Sequence, residues 1–109
     1  MKILLDECLP LGFRHSFPGH EVHTAQWAGL KGKSNGELLR AAEDGSYDAL
    51  VTIDKNLPHQ QNLGDLKLSI VIVTAPTNQL EDLLPLSNQI LEALETIERG
   101  QVVRVPRSD

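Results

Sequence analysis

Cysteine occurs once, at Cys8, which rules out an internal disulfide framework and suits a reducing compartment. No apolar run approaches the roughly 20 residues that a membrane helix needs, so no membrane partner is expected. The opening residues lack the charged-then-apolar build of a secretion signal, because Asp6 and Glu7 interrupt the first apolar run. The expectation is a cytoplasmic protein. Basic residues are also in short supply: ten Lys and Arg stand against fifteen Asp and Glu, a formal net charge of -5. That balance argues against broad, sequence-independent duplex binding, which runs on a basic surface. It leaves a nuclease open, since metal-binding acids themselves make a chain acidic. There is no phosphate-binding loop, dinucleotide fingerprint or nucleophile elbow. Zinc lacks ligands too, because His20 and His23 have no Cys pair or further His nearby and, three apart on a strand, face opposite sides.

What remains is an ordinary globular mixture over 109 residues, 40% hydrophobic and 23% charged, enough for a single domain spanning 1–109 with one core. The stretch Ala49-Leu50-Val51-Thr52-Ile53-Asp54 is a β-branched apolar run that stops at an acid, as a buried parallel strand does when it delivers a carboxylate to a sheet rim. Lys2-Ile3-Leu4-Leu5-Asp6 repeats the pattern. Between them, Leu9, Phe13 and Phe17 give a short helix one apolar stripe, opened by Pro10 and ended by Pro18-Gly19. His20 to Thr24 reads as a short edge strand, and Gln26 to Lys33 as a loop. Ser34-Asn35-Gly36-Glu37 matches a capping box, so a helix should start at Ser34, bury Leu38, Leu39, Ala41 and Ala42, and stop at Gly45. Asn56 to Gly64 is a polar loop or single helical turn. Ser69 to Thr74, the most apolar strand, is expected at the sheet centre. Leu80 to Arg99 is helical with a restart at Leu84 imposed by Pro85, its Leu83, Ile90, Leu91, Leu94 and Ile97 facing the sheet, and Gln101 to Val105 is a last strand. Strands alternating with helices define an α/β domain with a mainly parallel sheet.

In such sheets, sites lie beyond the carboxyl ends of strands near a switch point. Asp6 and Asp54 both fall there. Carboxylates with oxygen-only ligands suit Mg²⁺ or Mn²⁺, and such an ion can activate water for phosphodiester cleavage. The plain reading is that each acid caps the turn after its strand. Glu7 should point away from Asp6 unless a turn brings it in. Glu37 has a structural role in the capping box, yet a carboxylate at that helix start can face the same rim. Lys55 either contacts a phosphate or balances the acids. Lys31, Lys33 and Arg40 are the nearest further cations, and His59 lies in the loop after Asp54. Trp27 and Leu30 offer an apolar surface for a homodimer or a partner, or else a solitary aromatic.

Leu4-Leu5-Asp6-Glu7-Cys8-Leu9-Pro10 resembles the L-L-D-E-N-L-P opening of a bacterial family of small PIN-like (PilT N-terminus-like) proteins. The resemblance continues through Gly19-His20-Glu21-Val22-His23-Thr24, Gly29-Leu30, Ser34-Asn35-Gly36-Glu37-Leu38-Leu39 and Leu50-Val51-Thr52-Ile53-Asp54-Lys55-Asn56-Leu57, covering about the first two thirds of the chain. It implies a three-layer α/β/α fold, metal-dependent endoribonuclease chemistry of the kind used by VapC-like toxins, an RNA substrate and a cognate antitoxin partner. The family's first acid falls on Asp6 and its T-x-D acid on Asp54. Its helix-start acid falls on Asn35, which still offers an oxygen to a metal but removes one negative charge. Asn56 likewise stands where many relatives carry Asp. The implied metal set is therefore Asp6, Asp54 and Asn35, with Glu37 or Glu7 completing the site or the activity being weak or absent.

Two readings from other classes compete. One is a PIN-like module that binds a partner without catalysis, which Asn35 favours. The other is a phospho-accepting receiver-like domain in which Asp54 is phosphorylated and Asp6 and Glu7 hold Mg²⁺, loosely matched by Asp54-Lys55-Asn56-Leu57-Pro58 and Thr74-Ala75. Receivers carry a Lys before a Pro after the fifth strand, where this chain has Val105-Pro106.

Overall fold

Five strands make one all-parallel sheet in the order β2-β1-β3-β4-β5: β1 (Lys2–Leu5), β2 (Glu21–Thr24), β3 (Ala49–Thr52), β4 (Ser69–Val73) and β5 (Val102–Val105). The computed structural model describes residues 1–57 and 66–106. Pro58, His59 and the rest of the loop expected to run to Gly64 lie outside the described residues. Among the described residues the helices are α1 (Asn35–Asp44), α2 (Leu80–Leu83) and α3 (Ser87–Thr96), and β1 is joined to β2 through a 3₁₀ helix, Leu11–Ser16.

Alternation along the strands divides the core in two. Ile3, Leu5, Ala49, Val51, Val71 and Val73 face one layer, where they meet Phe13 and Phe17 of the 3₁₀ segment and Ile90 and Leu94 of α3. Leu4, Leu50, Ile70 and Ile72 face the other, against Leu38, Leu39 and Ala42 of α1. Successive strand residues point to opposite faces, so a sheet covered on both sides has no polar alternation, and all residues of β3 and β4 are buried. The result is the expected α/β/α architecture.

Three expectations shift. The central strand is β3; the more apolar β4 lies one place nearer the β5 edge. Apolarity reports that both faces are covered, which holds for every interior strand, and does not rank strands by position. The segment 80–99 is divided: Pro85 has no N–H to continue the ladder, so Leu84–Leu86 is a 3₁₀ turn and the full helix resumes only at Ser87. It stops at Thr96, with Ile97 already extended, and Gly100 (φ 76°) turns the chain where an added Cβ would lie 2.8 Å from the Leu66 carbonyl oxygen. The stretch Leu9 to Phe17 packs its three apolar residues as expected, but as a 3₁₀ rather than an α-helix. The edge position of β2 and the start of α1 after Ser34 agree with the sequence reading. Among the described residues no helix is long and apolar enough to cross a membrane.

Candidate active site

The strand order reverses direction at β1 and β3: the chain leaves β1 toward β2 on one side and returns to β3 on the other. The carboxyl ends of these two neighbours are where a doubly wound sheet opens a crevice. Register places Leu5 opposite Val51, and the Asp6 N–H continues the ladder to the Val51 carbonyl at 3.0 Å. Asp6 thus leaves the sheet beside Thr52, two residues before Asp54.

Thr52, fully buried, joins the two acids. Its hydroxyl donates to Asp6 Oδ2 at 2.7 Å and accepts the Asp54 N–H at 3.1 Å. With the hydroxyl proton committed to Asp6, the Cys8 thiol at 3.9 Å is left as a donor to Thr52. Burial raises the Cys8 pKa, and the neighbouring Asp6 charge adds to the rise, which disfavours the nucleophilic thiolate.

Each acid divides its two oxygens between the following turn and an inward partner. Asp6 Oδ1 accepts the Glu7 N–H at 2.8 Å, and Asp54 Oδ1 accepts the Asn56 N–H at 3.0 Å. These are turn-stabilising bonds of the kind short acidic side chains make. The second oxygens turn inward: Asp6 Oδ2 to Thr52, and Asp54 Oδ2 to the amide of Asn35 at 3.1 Å. The turn bonds and the inward bonds are therefore made by different oxygens of the same side chains. Asp6 is 8% exposed and Asp54 and Asn35 are half-buried.

The remaining acids are engaged elsewhere. Glu7 is exposed and its carboxylate receives the Gly32 N–H at 3.2 Å, tying the loop after β2 to the end of β1. Glu37 completes the capping box: Ser34 Oγ accepts the Glu37 N–H at 3.3 Å, and Glu37 Oε1 takes the Ser34 hydroxyl at 2.8 Å. Lys55 is exposed on the loop after Asp54. Among the described residues no three His, Cys, Asp or Glu side chains gather as a metal group. The fit to Mg²⁺ or Mn²⁺ is accordingly one of two carboxylates and an amide. All three bring hard oxygen ligands, with less charge than three acids would give.

The hydrogen bonds from Ser34 hold the Glu37 carboxyl below its ordinary pKa of 4.5. A depressed folded pKa gives stability that is present above the unfolded value and lost as pH falls through the folded one. The stability difference between the protein and Glu37→Gln is thus expected to shrink as pH drops below about 4.5. Urea unfolding at stepped pH checks this; a difference constant down to the lowest pH would rule out a charge-dependent cap.

Thr52 is the site residue the sequence reading passed over. The available signal was its spacing: Thr52 and Asp54, two apart at a strand end, share a side of the chain. The receiver-like reading finds Val105 buried before Pro106 where a lysine belongs.

The fold is a three-layer α/β domain, with Asp6 and Asp54 following the two neighbouring strands at the switch point of its parallel sheet. No family model, curated protein or solved structure matches the chain.

Proposed function

We propose that the protein is a PIN-like, divalent-metal-dependent endoribonuclease acting in the cytoplasm as the toxin half of a toxin–antitoxin pair. The observation that carries this reading is the Asp6–Thr52–Asp54 connection across the two strands of the switch point. Asp6 and Asp54 would hold Mg²⁺ or Mn²⁺, with Asn35 contributing its side-chain oxygen. When bound, the ion supplies Lewis acidity and a water of lowered pKa for attack on a phosphodiester. The chain's own part is to hold the ligands. Thr52 fixes the Asp6 carboxylate in a dry position, the start of α1 carries Asn35 to Asp54, and Lys55 offers a mobile cation to the substrate phosphate. The PIN-like motifs in the first two thirds of the chain support the RNA substrate and the antitoxin partner.

RNA cleavage in Mn²⁺ tests the reading. Asp54→Asn is expected to slow cleavage at least about a hundredfold, since a ligand loss exceeds the effect of losing a second-sphere partner. Equal cleavage by the variant defeats the assignment, as does a wild type that neither cuts nor gains thermal stability from any divalent ion.

One observation favours a second reading, a partner-binding module without catalysis. The Asn35 amide already satisfies Asp54 Oδ2 with a hydrogen bond, where an acid would leave two carboxylates repelling one another until a cation bound.

A further inference from the structure

Strand β2 closes one edge of the sheet, and among the described residues no strand pairs with its outer side. The Glu21 N–H donates to the Met1 carbonyl at 3.0 Å and the Ala25 N–H to the Leu5 carbonyl at 2.9 Å. In a parallel ladder, alternate residues turn their N–H and C=O groups to opposite sides. Glu21, His23 and Ala25 therefore face β1, while Val22 and Thr24 present theirs outward. The Thr24 carbonyl already accepts the Ala28 N–H at 3.0 Å, so the edge offers both groups of Val22 and the N–H of Thr24.

Apolar surface flanks this edge on both sides. Leu11 and Trp27 are 51% and 71% exposed, and with Val22 they line an open groove of about 530 Å³ along the strand. Val22 packs with the layer that holds the 3₁₀ helix of Leu11. Trp27 lies on the other side, its indole 4.2 Å from the ring of His23, which is level with Leu4 and the α1 layer. Arg14 also lines the groove, but its guanidinium turns back to donate to the Leu11 carbonyl at 2.7 Å.

Charge along the strand selects a second copy of the chain as the occupant. Antiparallel self-pairing about a two-fold axis has three registers here. Centred on Glu21, it sets the two Glu21 carboxylates against each other; centred on His23, it sets imidazole against imidazole. Centred on Val22, it places each Glu21 opposite His23 of the other copy, twice by symmetry. Those are non-hydrogen-bonded positions, where facing side chains approach most closely. His23 can receive the carboxylate: its Nε2 lies 3.7 Å from Glu21 of its own chain, too long for a hydrogen bond, while Nδ1 is held by the Tyr47 hydroxyl at 2.8 Å. The same register lets the two Val22 residues exchange both backbone bonds and aims each Thr24 N–H at the His20 carbonyl of the other copy. The β5 edge offers no counterpart, since its one charge, Arg104, has no acid on the strand to oppose it.

We infer that β2 is a self-association edge, through which two copies join antiparallel about Val22 and merge their five-stranded sheets into one. Glu21–His23 pairs fix the register, and Leu11 and Trp27 are covered on the two sides of the joined sheet. The axis stands perpendicular to the sheet, so like layers meet and the two Asp6–Asp54 rims point to opposite ends. The inference is independent of the nuclease reading.

Sedimentation of the full chain over a concentration series is expected to show a reversible monomer–dimer equilibrium. Val22→Pro removes an outward N–H and no bond to β1, a change that edge strands tolerate. It is expected to weaken the dimer at least about tenfold. Glu21→Arg, at an exposed position, turns both cross-strand pairs repulsive and should weaken it about tenfold. Where the proline lowers the melting temperature, the arginine variant decides. Oxidation in a Cys8→Ser background reads the register. Val22→Cys should give a covalent dimer, since the facing residues lie about 5.5 Å apart. Glu21→Cys should not, because its symmetry mate is diagonal to it, beyond the roughly 7 Å that a disulfide spans. A monomer at every concentration overturns the inference and leaves the edge to a different chain. A dimer of unchanged affinity in Glu21→Arg overturns it too, and cross-linking through Glu21→Cys but not Val22→Cys overturns the register.

Discussion

Asn35→Asp is expected to tighten Mn²⁺ binding by at least about tenfold while lowering the stability of the metal-free protein. Asn35 is the first residue of α1, and its amide donates to Asp54 Oδ2 at 3.1 Å. An aspartate there replaces a hydrogen bond by two carboxylates in contact. For half-exposed groups the repulsion is on the order of 2 kcal/mol. The helix N-terminus favours the new negative charge by about 0.3–1 kcal/mol, so repulsion wins and a net loss of about 1 kcal/mol remains without metal. A divalent cation reverses the sign, because it gains a third charged oxygen ligand. Thermal melts with and without Mn²⁺ read both effects. A metal-free melting temperature that does not fall, or one that Mn²⁺ fails to raise more in the variant than in wild type, removes Asn35 from the site. Cleavage by Asn35→Asp but not by wild type would favour the partner-binding reading for the natural chain.

Thr52→Val is expected to cost about 2–3 kcal/mol of folding stability, a fall of roughly 10 °C in melting temperature, and to reduce cleavage together with it. The shapes match, but the hydroxyl serves Asp6 Oδ2, the Asp54 N–H and the Cys8 thiol at one buried point. Valine leaves Asp6, 8% exposed, with an inward oxygen facing a methyl group. Thr52→Ser keeps the hydroxyl and is expected to retain most of both properties. Should valine melt with wild type, the Thr52 bridge contributes nothing to the fold. Should it melt low yet bind Mn²⁺ and cleave normally, the bridge is structural only.

The parts of this protein that could be read from the chain are those set by near neighbours. The apolar run ending at Asp54, the same pattern at Asp6 and the Ser34–Glu37 box each depend on a few consecutive residues, and each stands where expected. The two-sided burial of β3 and β4 was legible for the same reason, since strands without polar alternation must be covered twice. The rank of β4 in the sheet was not, because strand order follows from crossovers between distant segments and leaves no mark on local hydrophobicity. The division of residues 80–99 fell between these cases: Pro85 located the break, but how far the ladder took to recover depended on how α3 met the sheet.

At the site, sequence by itself determined which acids reach the rim and that the helix-start position is an amide. Only the tertiary structure decided how they are used. Parallel pairing of β1 with β3 set Thr52 between Asp6 and Asp54, the β2-to-α1 connection carried Asn35 to Asp54, and the loop after β2 was drawn in by Glu7. Those contacts join residues 19 to 46 positions apart. Their partners are chosen by the burial that brings whole elements together, and no local pattern encodes that choice.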